Sequence, residues 1–198
     1  MRSTIVNPIL TGTSSTIAPL FANLKTSTAK QLFQVAKMIE ARDQTGAGRQ
    51  IFFVQLGSFD THGDQLNRQQ NLFAELSPAL KAFYDATVAL GVASEVTLSD
   101  FGRTFQPASG GGTDHAWASH HFIIGGAVDG GALHGQFPQL ILGGPRDAEL
   151  EGRWLPTTSV DQYGATLARW FGVDEAGLAT VFPNLASFGS SNLGFMLG

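Results

Sequence analysis

The chain has 198 residues, of which 43% are hydrophobic and only 14% are charged, whereas a typical protein has about 25% charged residues. A chain this apolar is expected to bury a core rather than stay disordered. The formal net charge of −4, with only 12 lysines and arginines, leaves no basic stripe for nucleic acid, and the absence of cysteine excludes disulfides, thiolate metal sites and cysteine nucleophiles.

The length suits one domain, and we expect a single α/β domain over residues 1–198. Residues 1–25 contain Pro8 and Pro19, which predict an irregular lead-in. They have no long apolar region of the kind that a signal peptide needs. No apolar run approaches the roughly 18 residues of a membrane span, so we expect none.

The next elements alternate between helix and strand. Apolar residues repeat every three or four positions from about Ser27 to Arg42, which predicts a helix. The nearly continuous apolar run Ile51–Leu56 is typical of a strand that is buried on both faces. A second helical pattern runs from Leu72 to Ala89, with a bend expected at Ser77-Pro78, and Val96–Leu98 predicts another strand. This order favours a parallel sheet with flanking helices.

The second half of the chain is rich in glycine. Residues 102–144 hold 11 of the 24 glycines, which predicts loops around two short strands at Phe122–Ile124 and Leu140–Leu142. A capping box, Ser159 to Gln162, begins a helix that we expect to reach residue 171. Asp174 is expected to cap a last short helix that ends before Pro183.

Aspartates and histidines follow the two predicted strands. Asp60 and His62 come just after Ile51–Leu56, and Asp100 follows the second strand. Asp114 and His115 come after the flexible segment Ser-Gly-Gly-Gly, which lets distant ligands converge. Carboxylates and imidazoles together suit zinc, manganese or iron, whereas calcium and magnesium favour oxygen ligands alone. A mixed metal site is therefore expected.

Several further residues leave alternatives open. His120 and His121 are adjacent and point apart in an extended chain, so at most one is a ligand, and we favour His121. Arg103 could clamp a substrate anion or pair with an aspartate in a structural role. Thr61 and Thr104 are nucleophiles by residue type, but no activating base is identifiable, so no catalytic residue is assigned.

Seven segments resemble a bacterial family of unknown function, DUF1501. The resemblance runs from about Leu24 to Met196. It rests on Gln50–Val54, Phe59–Gln65, Ser99–Thr104, Gly112–Trp117, His120–His121, Gly125–Val128 and Pro156–Tyr163.

This family is grouped with the alkaline phosphatase and sulfatase superfamily, which holds metals at strand ends and transfers phosphoryl or sulfuryl groups. The resemblance implies a partial alkaline-phosphatase-like parallel sheet with flanking helices and a glycine-rich loop region. Asp60 and His62 look like one ligand pair and Asp100 like part of another, completed by Asp114 and His115 or by His120 and His121. Zinc or manganese is expected rather than calcium.

Family members are about twice as long, and the chain looks like their C-terminal half. The missing half would hold the nucleophile, so we expect a partner N-terminal half or self-association, in the bacterial periplasm. Two functions stay open. One is a metal-dependent hydrolase of small anionic phosphate or sulfate esters, or a piece of one; the other is a non-catalytic binding or scaffold domain that keeps the fold.

Overall fold

Helices and short antiparallel strands make up the regular structure of the protein. A computed structural model describes residues 2–92, 95–96, 99 and 101–197. The chain divides into two compact units, Met1–Ala93 and Ser94–Gly198. None of the helices within the described ranges is long and apolar enough to cross a membrane.

The first unit is built from helices around one apolar core. The helices are α1 (Arg2–Thr11), α2 (Ala18–Phe21), α3 (Ser27–Glu40), α4 (Arg42–Thr45) and α5 (Gln65–Ala89). The Thr26 hydroxyl caps α3 by accepting a hydrogen bond from the Ala29 N–H. The apolar face of α3 packs against the small residues of α5, and this interface buries Leu32, Val35, Ala36, Ala79, Ala82, Phe83 and Ala86. The predicted helix at 27–42 is thereby confirmed.

Charged side chains tie the ends of the helices together. Lys37 of α3 is only 7% exposed, and its Nζ donates to the carbonyl of Leu10 in the last turn of α1 at 2.6 Å. Glu75 of α5 accepts from the Thr28 N–H in the first turn of α3 at 3.1 Å. Arg42 donates to the Leu90 carbonyl at the C-terminus of α5 at 3.0 Å. Each charge has the sign that the helix dipole favours at that end.

The expectation for residues 1–25 is wrong. They are not an irregular lead-in, because they contain α1 and α2, and α1 continues through Pro8. No amphipathic pattern marks α1 in the sequence; its last turn is stabilised by the distant Lys37. The helix expected at 72–89 is confirmed as part of α5, which begins earlier and continues through Pro78, while the bend at Ser77-Pro78 stays a prediction.

The predicted strand at 51–56 is wrong. These residues have no regular secondary structure, and Ile51 and Phe53 are 83% and 87% exposed. Phe52 and Val54 instead pack against the core of the first unit, so the segment is extended with one covered face. The Gln31 side chain takes the place of a neighbouring strand, since its amide accepts from the Gln55 N–H at 3.2 Å and donates to the Gln55 carbonyl at 3.1 Å.

The strands of the second unit form two antiparallel pairs. β1 (Glu95–Val96) pairs with β4 (Ile123–Ile124), and β2 (Gly102–Arg103) pairs with β3 (His115–Ala116). The protein is therefore a mixed α/β structure, and the described strands include no parallel pair. The expectation of a strand at 122–124 is confirmed, whereas 140–142 forms no strand.

The C-terminal helices follow the sequence closely. α6 (Val160–Phe171) begins with the complete Ser159 to Gln162 capping box. α7 (Glu175–Val181) is capped by Asp174, whose carboxylate accepts from the Gly177 N–H at 2.8 Å. A 3-10 turn, Leu185–Ser187, completes a small core of Ala165, Leu178 and Leu185.

Asp147 organises the loop before α6. Its carboxylate accepts hydrogen bonds from four backbone N–H groups, those of Gly143, Glu149, Gly152 and Arg153. Burial raises the pKa of Asp147, but these four donors lower it by more, so the pKa lies below its ordinary value.

We expect the contribution of Asp147 to depend on pH. A carboxyl whose pKa is lowered by folding stabilises the protein above its unfolded pKa, about 3.9, and this stabilisation is lost as pH falls through the folded pKa. Asp147→Ala should therefore lower the urea midpoint at neutral pH, followed by tryptophan fluorescence, and the difference from wild type should shrink in acid. Asp129→Ala is the control; an equal effect of both variants would contradict the assignment.

The Lys37 contact predicts a second stability effect. Lys37→Met keeps the length of the side chain but leaves the Leu10 carbonyl without its donor, and should cost about 1–2 kcal/mol in the free energy of unfolding. All three tryptophans lie in the second unit, so helix loss is best followed by circular dichroism. Lys81→Met removes an exposed ion pair with Asp85 and should cost about 0–0.5 kcal/mol. Equal costs would show that the Leu10 contact contributes little.

Candidate metal centre

The loop 57–64 carries the Asp-Thr-His sequence and leads into α5. Thr61 is fully buried, its N–H donates to the Phe59 carbonyl at 2.9 Å, and its hydroxyl accepts from the Gln69 amide at 3.3 Å. This backbone hydrogen bond closes a tight turn around Asp60. Thr61 is buried, whereas its neighbours Asp60 and His62 are both exposed.

Asp60 and His62 form a close pair. The distance from His62 Nε2 to Asp60 Oδ1 is 2.9 Å, and the side chains are 48% and 53% exposed. One metal ion with bonds of about 2.0–2.1 Å separates two of its ligand atoms by roughly 3 Å, whether it is tetrahedral or octahedral. The separation of 2.9 Å is that of a direct hydrogen bond or ion pair, and two ligands of one ion can have the same spacing.

The backbone on both sides of this pair is in an unusual conformation. Ser58 has φ of 76° and Asp64 has φ of 48°, in the left-handed region that non-glycine residues rarely adopt. Asp64 accepts from the Asn67 amide at 2.6 Å, and its carbonyl accepts the first backbone hydrogen bond of α5. Strain of this kind persists at ligand sites when the surroundings hold it. The sequence signal for Ser58 was the turn-forming dipeptide Gly57-Ser58, which the interpretation of the strand overlooked.

A hairpin of the second unit positions Asp114 and His115. Gly102 pairs with Ala116 and Arg103 with His115. The Asp114 backbone is held by Thr104, which donates its N–H to the Asp114 carbonyl and accepts the Asp114 N–H at its hydroxyl. A side chain at position 102 would lie 1.8 Å from the Ala118 carbonyl oxygen, so only glycine allows this close approach.

The side chains of His115 and Arg103 have different surroundings in this hairpin. The His115 side chain is exposed and its ring contacts Phe101 at 4.9 Å. Arg103 donates to the Thr113 carbonyl at 2.9 Å and lies over the Phe101 ring, so its guanidinium supports the hairpin. Its role as a substrate clamp stays a prediction.

His121 lies in an aromatic cluster. Its ring contacts Tyr163 at 5.5 Å, and Tyr163 contacts Phe195 at 5.6 Å. Its Nδ1 accepts the Ser99 N–H at 3.2 Å, so the neutral ring carries its proton on Nε2. Burial and the neighbouring His120 lower the pKa of His121, and burial raises the pKa of Tyr163 to about 12. These contacts favour a structural role, and ligation by His121 stays an untested prediction.

The remaining candidates fall in different places. Asp100 lies outside the described residues. His120 is exposed and stacks on Phe137 with ring centroids 5.4 Å apart. The hydroxyl of Thr104 donates to the Gln106 carbonyl at 3.0 Å. Thr61 and Thr104 thus use their hydroxyls in the fold, which does not favour either as a nucleophile.

Ligand atoms of the right chemistry are thus present on exposed side chains. Asp60 and His62 in the first unit, and His115 in the second, each offer one atom of the type that binds a transition metal. Only the first two residues lie within one unit, and their pairing is the best-defined feature of the site.

Comparison with known proteins places these residues in one family. Residues 10–161 match the model of a family described as a protein of unknown function, DUF1501. This region includes every metal-ligand candidate predicted from the sequence. Neither the search of curated proteins nor the search of solved structures found a match.

The geometry of the pair predicts the effect of removing it. We expect Asp60→Ala and His62→Ala each to weaken zinc binding by the full-length chain at least about tenfold, as loss of a ligand or its partner does. The measurement is competition with a chromogenic chelator, with circular dichroism as the check on folding. His134→Ala removes an exposed histidine of the second unit and should leave zinc binding unchanged. Wild-type affinity in both loop variants would show that the pair is structural.

Proposed function

Because the chain belongs to the DUF1501 family, with Asp60 and His62 inside the matched region, we propose that it is a metal-binding domain of the type used by hydrolases of phosphate or sulfate esters. The ion would be zinc or manganese. The observation that carries this proposal is the 2.9 Å pairing of a carboxylate and an imidazole, held side by side by the burial of Thr61 between them.

The donor set supports a transition metal. One nitrogen and one oxygen ligand suit zinc or manganese, whereas calcium binds six to eight oxygens. Two ligands do not complete a protein site, so others must contribute. The further candidates predicted from the sequence are Asp100, Asp114, His115 and His121.

At such a site the ion would supply the chemistry and the protein would orient the ligands. When bound, a divalent ion would neutralise developing negative charge and make a coordinated water easier to deprotonate. The residues of the loop would orient the ligands: Thr61 fixes the direction of the pair, and Asp64 fixes the start of α5. A nucleophilic side chain is a separate requirement, and the engaged hydroxyls of Thr61 and Thr104 do not favour either for that role.

A second candidate function is a non-catalytic binding or scaffold domain. The hydroxyls of Thr61 and Thr104 are engaged in hydrogen bonds, which favours this second function. A fold can keep metal ligands and still have no nucleophile. Metal binding distinguishes a metal-free scaffold from the main proposal, and turnover distinguishes a binding domain from an enzyme.

We expect the chain to bind zinc or manganese without hydrolysing esters at an enzyme-like rate. Efficient transfer needs a nucleophile about 3–3.5 Å from the reacting atom, and a misplacement of 1 Å costs about a hundredfold. The assay is hydrolysis of an aryl phosphate and an aryl sulfate with each metal. Metal-dependent turnover that is lost in His62→Ala would contradict this expectation and point to a nucleophilic side chain, or to a metal-activated water, within the chain.

A further inference from the structure

A cleft lies beside the Asp60–His62 loop, within the first unit. It has a volume of about 350 Å³ and is lined by Ser58, Arg68, Asn71, Leu72 and Glu75. Four of these residues are spaced three or four positions apart on α5, so they share one face of the helix. Ser58 comes from the loop. The cleft is a shallow depression that is open to solvent.

The positive charge in this cleft belongs to Arg68. Its side chain is exposed, and no acidic partner for it is present among the described residues. Glu75 is the acidic group, but its carboxylate accepts the Thr28 N–H at the N-terminus of α3. The side chain and the N–H of Thr28 lower the pKa of Glu75, so it stays a carboxylate whose charge is partly compensated by that helix end. Arg68 is left as the group that can pair with an anion.

The backbone conformation of Ser58 is a second unusual feature of the cleft, beside the charge of Arg68. Its φ of 76° is unusual for a residue with a side chain, and it lies at the boundary between the extended segment and the loop. Such a conformation costs of the order of 1–3 kcal/mol and is typical of ligand sites. At this position it adds a hydroxyl to the wall of the cleft.

We propose that this cleft binds a small organic oxyanion. The Arg68 guanidinium matches the two oxygens of a carboxylate, sulfate or phosphate group, with the Ser58 hydroxyl and the Asn71 amide as further donors. Half-buried Leu72 offers an apolar contact for the organic part. The site does not use Asp60 or His62, so binding is independent of a metal ion.

The test uses three probes that differ only in the anion: benzoate, phenyl sulfate and phenyl phosphate, with benzamide as the uncharged control. Binding to the full-length chain is measured by calorimetry in the presence of a chelator. We expect at least one oxyanion to bind with a Kd of about 1 mM or tighter, with affinity that falls as salt is added. The probe that binds best identifies the class of anion.

Two arginine variants separate the cleft from general charge. Arg68→Gln should weaken binding at least about tenfold, whereas Arg49→Gln, which removes an exposed arginine of the same unit, should change it less than about twofold. Circular dichroism confirms that each variant is folded. The proposal is overturned if none of the probes binds, if Arg68→Gln binds as wild type does, or if binding requires the metal.

Discussion

The first unit depends on charged side chains that satisfy the exposed ends of neighbouring helices. The last carbonyls and first N–H groups of a helix have no partners within it. Lys37 supplies a donor to the end of α1, Glu75 an acceptor to the start of α3, and Arg42 a donor to the end of α5. Because these contacts join helices that are distant in sequence, they hold α1, α3 and α5 together around the core of the first unit.

Local signals in the sequence were sufficient for the elements that carry their own caps. Ser159 with Gln162, and Asp174, marked the starts of α6 and α7 correctly, because a cap depends on residues three positions apart. α1 carries no comparable signal, and its partner Lys37 lies 27 residues from Leu10. Elements stabilised by such distant contacts cannot be recognised from a local pattern.

The segment 51–56 shows a second limit of prediction from the sequence. A run of apolar residues predicts an extended chain but does not say whether another strand lies beside it, since pairing is a non-local property. Here the polar partner of Gln55 is the side chain of Gln31. The candidate ligands Asp60 and His62 were nevertheless recognised, because their residue types and close spacing are local features of the sequence. The hairpin that places Arg103 beside His115 depends instead on the close approach that Gly102 permits.

The energetics of the loop favour function over stability as the reason for its conformation. The Asp60–His62 pair is about half exposed, and ion pairs in that environment contribute about 0–1 kcal/mol. The backbone of Ser58 alone costs of the order of 1–3 kcal/mol, so the pair does not offset it. Burial of Thr61 and the contact of Phe59 with Phe73, with ring centroids 5.7 Å apart, hold the strained loop in place. The packing of the loop therefore holds the Ser58 backbone in its conformation, and the exposed pair contributes little to stability, which leaves Asp60 and His62 available for a role in binding.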